Sequence, residues 1–267
     1  MAGQTPSWTH LSKMEIDGFE ASDKDAFRGY APGIANRFFH TVQQTGKRFD
    51  ITVEGLENIP PGRALLVGNH AFGWDTMFPM AAILEKLGRR VWVLGDHLWW
   101  KLPFVRRVAA AVGVVDGNQE NIAKLLERDE LVMVLPGGLR EAVKPKELRY
   151  QLLWGHRYGF VHAAMRSQAP LVPVAVIGSD ELYDFVGNAF QRGRRWLHLR
   201  NLPIPLPTRL LPRRVQISFR IGEAIPCTEG ASADDFHAVR RMRREAEGAL
   251  HELIELELAK RCGIDLR

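Results

Sequence analysis

Residues Asn69 to Asp75 read NHAFGWD, between one apolar run and another. A histidine five positions before an aspartate can form an acid–base couple. The carboxylate fixes the imidazole tautomer and stabilises the imidazolium that appears once the ring takes a proton. His70 follows the apolar run RALLVGN, and Asp75 opens the next helical pattern, where the helix dipole favours a carboxylate. A tight turn through Gly73 would fold Asp75 back onto the ring. A plainer reading stands beside this one: Asp75 caps the helix and His70 is a hydrogen-bonded buried histidine.

A second stretch, VLPGGLREA at residues 134–142, repeats the arrangement, since an apolar run again ends in a turn. Gly137 and Gly138 let backbone N–H groups approach a ligand closely, and the Arg140 guanidinium can fork onto a phosphate or polarise a carbonyl. Taken alone, the segment also reads as a loop with a surface Arg140–Glu141 ion pair. Together the two stretches set a base and an anion-binding turn at neighbouring strand ends, where functional groups of parallel sheets gather.

The elements that must hold them follow from the hydrophobic pattern. Strands are expected at RFDITVEGL, RALLVGN, RRVWVLG, AVGVV, LVMVLPGG, PLVPVAVIG and RVQISFRIGEAI. Helices are expected around Ile34–Val42 (ending before Gly46), Thr76–Leu87, FVRRVAAA, NQENIAKLLERDE with Asn118 as cap, and Tyr158–Arg166. A long closing helix carries an apolar stripe of Phe236, Val239, Met242, Ala246, Leu250 and Leu253. Strands alternating with helices predict an α/β fold with a largely parallel mixed sheet flanked by helices. Residues 1–48 read as an N-terminal arm and helix, and residues 49–267 as one domain.

The 267 residues suffice for a sizeable core, and 46% hydrophobic with 25% charged residues excludes a disordered chain. Cys227 and Cys262 cannot make a disulfide framework or a metal site alone. No signal-peptide pattern and no spanning apolar stretch is present, so the expected location is cytoplasmic and peripherally membrane-associated. A net charge of +5 suits an anionic partner. Between Phe185 and Gly222 lie eight arginines and no acidic residue, interleaved with Trp196 and LPIPLPTRLLP. Membrane phosphates or those of an acyl carrier fit this stretch better than nucleic acid, for which no recognition module is evident; a solvated basic loop is the plainer reading. Gly178-Ser179-Asp180 lacks the second glycine of a nucleophile elbow. Asp96 and His97 have no evident third metal ligand, and no glycine cluster has dinucleotide or phosphate-loop spacing.

The order GNHAFGWD, GVVDGNQEN, LPGGLREA, VPVAVIG resembles the glycerolipid acyltransferase family with its H-x4-D motif, over roughly residues 50 to 226. The resemblance implies a single acyltransferase domain, with His70 as general base and Asp75 as its partner. Asn69, Gly137, Gly138, Arg140 and Glu141 would be substrate-binding. The third motif of the family reads proline, glutamate, glycine, threonine, arginine. Here Pro136, Gly138 and Arg140 match, whereas Gly137 and Leu139 replace the glutamate and threonine. Asp116 stands where glycerol-3-phosphate enzymes carry a phosphate-binding arginine. The proline–glycine–glycine turn and LRYQLLWGHRYGFVHAAM look more like the diacylglycerol acyltransferase and phytyl ester synthase branch. The function so implied is transfer of a fatty acyl group from acyl-CoA or acyl carrier protein to a lipid hydroxyl at an anionic membrane surface, with no metal or redox cofactor. The alternatives are a lysophospholipid or lysophosphatidate acyltransferase and a non-catalytic lipid or acyl-carrier binding protein.

Overall fold

A computed structural model describes residues 29–72, 75–96, 103–184, 213–228 and 230–264. All seven expected strands form one sheet: β1 (Ile51–Glu54), β2 (Ala64–Gly68), β3 (Val91–Gly95), β4 (Val114–Asp116), β5 (Leu131–Val134), β6 (Leu171–Ile177) and β7 (Ile217–Ile221). Their order is β1-β7-β6-β2-β5-β3-β4. β2 pairs in parallel with β5 and β6, and β3 in parallel with β5 and β4. β7 is antiparallel to β6, and β1 pairs with β7 in parallel, so two strands at one edge run against the other five.

Seven α-helices are described: α1 (Pro32–Arg48), α2 (Met77–Leu87), α3 (Pro103–Ala111), α4 (Gln119–Glu127), α5 (Gly138–Ala142), α6 (Gly159–Arg166) and α7 (Phe236–Arg261). Alternation along the strands divides the core. Leu65 and Val67 of β2 face a cluster built by α4, α6 and α7, while Ala64 and Leu66 face one built by α1 and α2. Every residue of β2 and β6 is buried, as a strand covered by helices on both faces requires. Helix α4 starts where expected: the Asn118 side chain accepts from the Asn121 N–H at 2.8 Å.

Three expectations change. Helix α1 does not stop before Gly46 but runs through it to Arg48, with a Cβ at Gly46 falling 3.4 Å from the Phe78 ring of α2. Phe236 is not core: it is 55% exposed and meets the Tyr158 ring at the start of α7, while Ile254 extends the buried stripe of that helix instead. The glycine turn after β5 is also the start of a short helix, α5, which the residue types did not announce. The expected arm before Gly29, Gly73, His97 and most of the basic stretch, including Trp196, lie outside the described residues.

Candidate active site

Asn69 and His70 leave the carboxyl end of β2, the strand at the middle of the sheet, with β6 on one side and β5 on the other. Asn69 is fully buried and spends its amide on β6: Nδ2 donates to the Val176 carbonyl at 2.9 Å, and Oδ1 accepts from the Val176 N–H at 2.7 Å. The side chain thus continues the β2–β6 ladder one step beyond the strand and anchors the next residue. Expected as a substrate contact, it is instead a buried structural tie, because both its polar groups are used.

His70 Nδ1 is hydrogen-bonded to Asp75 Oδ2, and the same oxygen accepts from the Ala71 N–H at 2.9 Å. Two donors on one oxygen hold the carboxylate against the turn that leads into α2. With Nδ1 donating to Asp75, Nε2 carries the lone pair. The Asp75 side chain is only 4% exposed and the His70 side chain 23%, so the pair is shielded while the ring keeps an opening. Burial disfavours the protonated ring, but the charge and hydrogen bond of Asp75, with the charge of Glu141 behind them, outweigh it. Lys144 pulls the other way, and the net effect raises the His70 pKa above its ordinary value.

Gly137 and Gly138 open α5 at the end of β5, beside β2. The structure gives Gly137 a different reason from the expected one. A Cβ there would fall 2.1 Å from Glu141 Oε2 and 2.3 Å from Glu141 Cβ, so the missing side chain makes room for the glutamate one turn on. Gly138 has φ +54°, a left-handed conformation, and its Cβ would meet Arg157 Nη1 at 2.8 Å. Arg157 in turn donates to the Pro136 carbonyl, fixing the turn from outside. Arg140 is exposed.

Glu141 is not half of a surface ion pair with Arg140. It is fully buried, its Oε1 accepting from the His70 N–H at 2.7 Å and its Oε2 from the Leu153 N–H at 2.6 Å. Burial raises its pKa against these hydrogen bonds and the charge of Lys144. Both oxygens being occupied, it braces the His70 peptide and is not positioned as a substrate ligand. Asp116 ends the edge strand β4 and accepts from the Asn118 side chain at 3.3 Å, away from the β2–β5 turn pair.

Sequence reasoning missed Lys144 and Asp180. The Lys144 side chain is 1% exposed, donating to the His70 carbonyl at 2.9 Å and to Asp180 Oδ1 at 2.8 Å. Asp180 Oδ2 accepts from the Tyr150 N–H at 2.7 Å. The signal present was slight: a lysine three residues after Glu141, and an aspartate in a turn read only as a failed nucleophile elbow. Among the described residues no group of three His, Cys, Asp or Glu is placed to hold a metal ion. A cleft of about 390 Å³ lies at the β1–β7 edge, lined by Val53, Gly55, Asn58 and Arg220, and includes none of the residues around His70.

Comparison with known proteins gives the family. A family model described as Acyltransferase matches residues 50–177, which contain β2, both turns and β6. The chain is 30% identical over 255 residues to a Gallus gallus protein described as "DGAT1/2-independent enzyme synthesizing storage lipids", covering 92% of this chain and 72% of that one. A Mus musculus protein of the same description is 31% identical over 147 residues, 55% of this chain and 44% of its own. An uncharacterized protein of Mycobacterium tuberculosis is 31% identical over 222 residues, 77% of this chain and 62% of its own. Against the latter two, the chain therefore spans less than two thirds of the relative's length. Among solved structures, the 1-acyl-sn-glycerophosphate (LPA) acyltransferase PlsC of Thermotoga maritima aligns with TM-score 0.48 and 18% identity, over 80% of this chain and 79% of that one. With the family match over the strands and turns that carry His70, and the similarity to the Gallus gallus protein along nearly the whole chain, this protein belongs to the acyltransferase family and is an acyltransferase enzyme.

Proposed function

We propose that the protein transfers a fatty acyl group from a thioester, acyl-CoA or acyl carrier protein, to the hydroxyl of a neutral lipid. The observation that carries the reading is the His70–Asp75 couple, with Nδ1 engaged, Nε2 carrying the lone pair and the ring partly open at the end of the central strand. Nε2 takes the proton of the acceptor hydroxyl as its oxygen attacks the thioester carbonyl. Asp75 stabilises the imidazolium so formed. The tetrahedral oxyanion is offset by the exposed Arg140 or by the Gly137 N–H, the Gly138 N–H being held by the Leu135 carbonyl at 3.0 Å. Collapse breaks the C–S bond, and the imidazolium returns its proton to the departing thiolate. The thioester supplies the activated carbonyl, so the reaction runs without a metal or redox group and without a covalent enzyme intermediate. A binding protein without catalysis needs no positioned base, which counts against that alternative.

A neutral acceptor follows from Asp116 and Gly137, which stand where the family's phosphate-handling members carry arginine and glutamate. The description of the Gallus gallus relative, a storage-lipid enzyme, supports the same choice. Among the described residues no helix is long and apolar enough to cross a membrane. Docking on an anionic bilayer therefore belongs to this reading, and nucleic acid does not. Of the eight arginines offered for docking, Arg213 is ion-paired with Asp184, Arg220 with Glu54 and Glu257, and Arg214 is exposed; Arg192, Arg194, Arg195, Arg200 and Arg209 lie outside the described residues.

The test is acyl transfer by purified protein from oleoyl-CoA to diacylglycerol or a fatty alcohol, against glycerol-3-phosphate and lysophosphatidate. The neutral acceptors should be faster, and folded His70→Ala should lose activity by orders of magnitude. Preference for lysophosphatidate would overturn the acceptor, and near-parental turnover by His70→Ala would overturn the mechanism.

A further inference from the structure

The His70 peptide is gripped at both of its polar atoms. Its N–H donates to Glu141 Oε1 at 2.7 Å, and its carbonyl accepts from Lys144 Nζ at 2.9 Å. Glu141 and Lys144 stand three residues apart, at the end of α5 and just beyond it, and both are buried. Each is braced on its far side. Glu141 Oε2 holds the Leu153 N–H at 2.6 Å, while Lys144 is paired with Asp180, which holds the Tyr150 N–H. The loop through residues 150–153 and the turn at 179–181 thereby back the two arms of the grip.

We propose that Glu141 and Lys144 are positioning residues for the base: as a clamp on the His70 peptide they set where the imidazole stands relative to the Gly137–Gly138 turn. This rests on the reading of His70 as general base.

A buried ion pair is a weak source of stability, since apolar groups of similar volume often serve as well. What it supplies here is geometry. A helix of five residues carries the Gly137–Gly138 turn at its start and the two arms on the base at its end, so turn and base move as one body. A displacement of 1 Å at such a centre costs on the order of 10²-fold in rate. Gly137 is part of the same device, because a side chain there would occupy the space of the Glu141 carboxylate. The two arms also act with opposite sign on the imidazole, Glu141 favouring the protonated ring and Lys144 the neutral one.

The clamp is tested by titrating the ring signals of histidine-labelled protein by NMR, with His70 identified among the nine histidines by the signal lost in His70→Gln. Glu141→Gln keeps the shape but can accept only one of the two N–H groups. It should lower the His70 pKa and reduce kcat on the order of 10²-fold, with KM little changed. Lys144→Met/Asp180→Asn removes the other arm without leaving a buried carboxylate unpaired, and it should raise the His70 pKa while also reducing kcat. Should Glu141→Gln not fold, the double variant decides alone. An unshifted His70 titration or an unchanged kcat in a folded variant overturns the clamp. Retained activity in His70→Gln overturns the general-base reading instead.

Discussion

Gly137→Ala is the perturbation whose magnitude the structure fixes most closely. The backbone at Gly137 is right-handed helical, φ −63° and ψ −26°, so alanine costs nothing in conformation there. Taken locally, the substitution should even stabilise by about 0.5–1 kcal/mol, the usual advantage of alanine over glycine in helical backbone. Instead the new methyl falls 2.1 Å from Glu141 Oε2, an atom that cannot withdraw without releasing the Leu153 N–H. Overpacking costs about 1–3 kcal/mol. Moving the carboxylate aside leaves a buried N–H unpaired, about 1–3 kcal/mol for each group. The chain takes the cheaper mixture, so a loss on the order of 3 kcal/mol is expected. The sign should reverse in a Glu141→Gly background, where both the carboxylate and the Cβ 2.3 Å away are gone and Gly137→Ala becomes neutral or mildly stabilising. The assay is a double-mutant cycle by urea unfolding, read by circular dichroism. Equal cost of Gly137→Ala in both backgrounds would refute the reasoning, because the glycine would then answer to something other than Glu141.

The His70 pKa is raised, so kcat/KM should climb with pH through an apparent value above 6.5, the ordinary histidine value. Asp75→Asn should move that limb down, since burial, which disfavours the protonated ring, is then less opposed; a flat profile between pH 6 and 8 would count against the base. The same shift contributes stability that is fully present below the unfolded pKa and is lost as pH rises through the folded one. His70→Gln should therefore flatten that part of the stability–pH curve measured by urea unfolding. Lys144→Met alone should cost about 3–5 kcal/mol, because it strands the buried Asp180 carboxylate, and the added Asp180→Asn should recover part of the loss. If docking is electrostatic, binding to anionic vesicles should weaken with salt and with Arg214→Gln; co-sedimentation unaffected by either would place docking elsewhere.

The α/β architecture was legible because a sheet covered on both faces needs continuous apolar strands, and segments such as ALLVG, LVMV and LVPVAVI can be little else. The His70–Asp75 couple was legible for a related reason: five residues across one turn make a local constellation, whose contact depends little on the rest of the chain. The reversal of β1 and β7 was not legible, since strand direction is set by how the chain returns to the sheet edge and not by any residue type. Nor were the roles of Asn69, Gly137 and Glu141. A sequence shows that a glycine lacks a side chain, but not whose side chain fills the space. It shows a glutamate beside an arginine, but not that the carboxylate is buried against a peptide 71 residues earlier. Lys144 and Asp180, 36 residues apart, became partners only when α5 and the turn after β6 were packed against β2. Hydrophobic periodicity and local spacing are properties of short segments and can be read in order along the chain. Burial of a charge is decided by what the tertiary fold places around it, and that decision turned an apparent surface pair into the support of the His70 peptide.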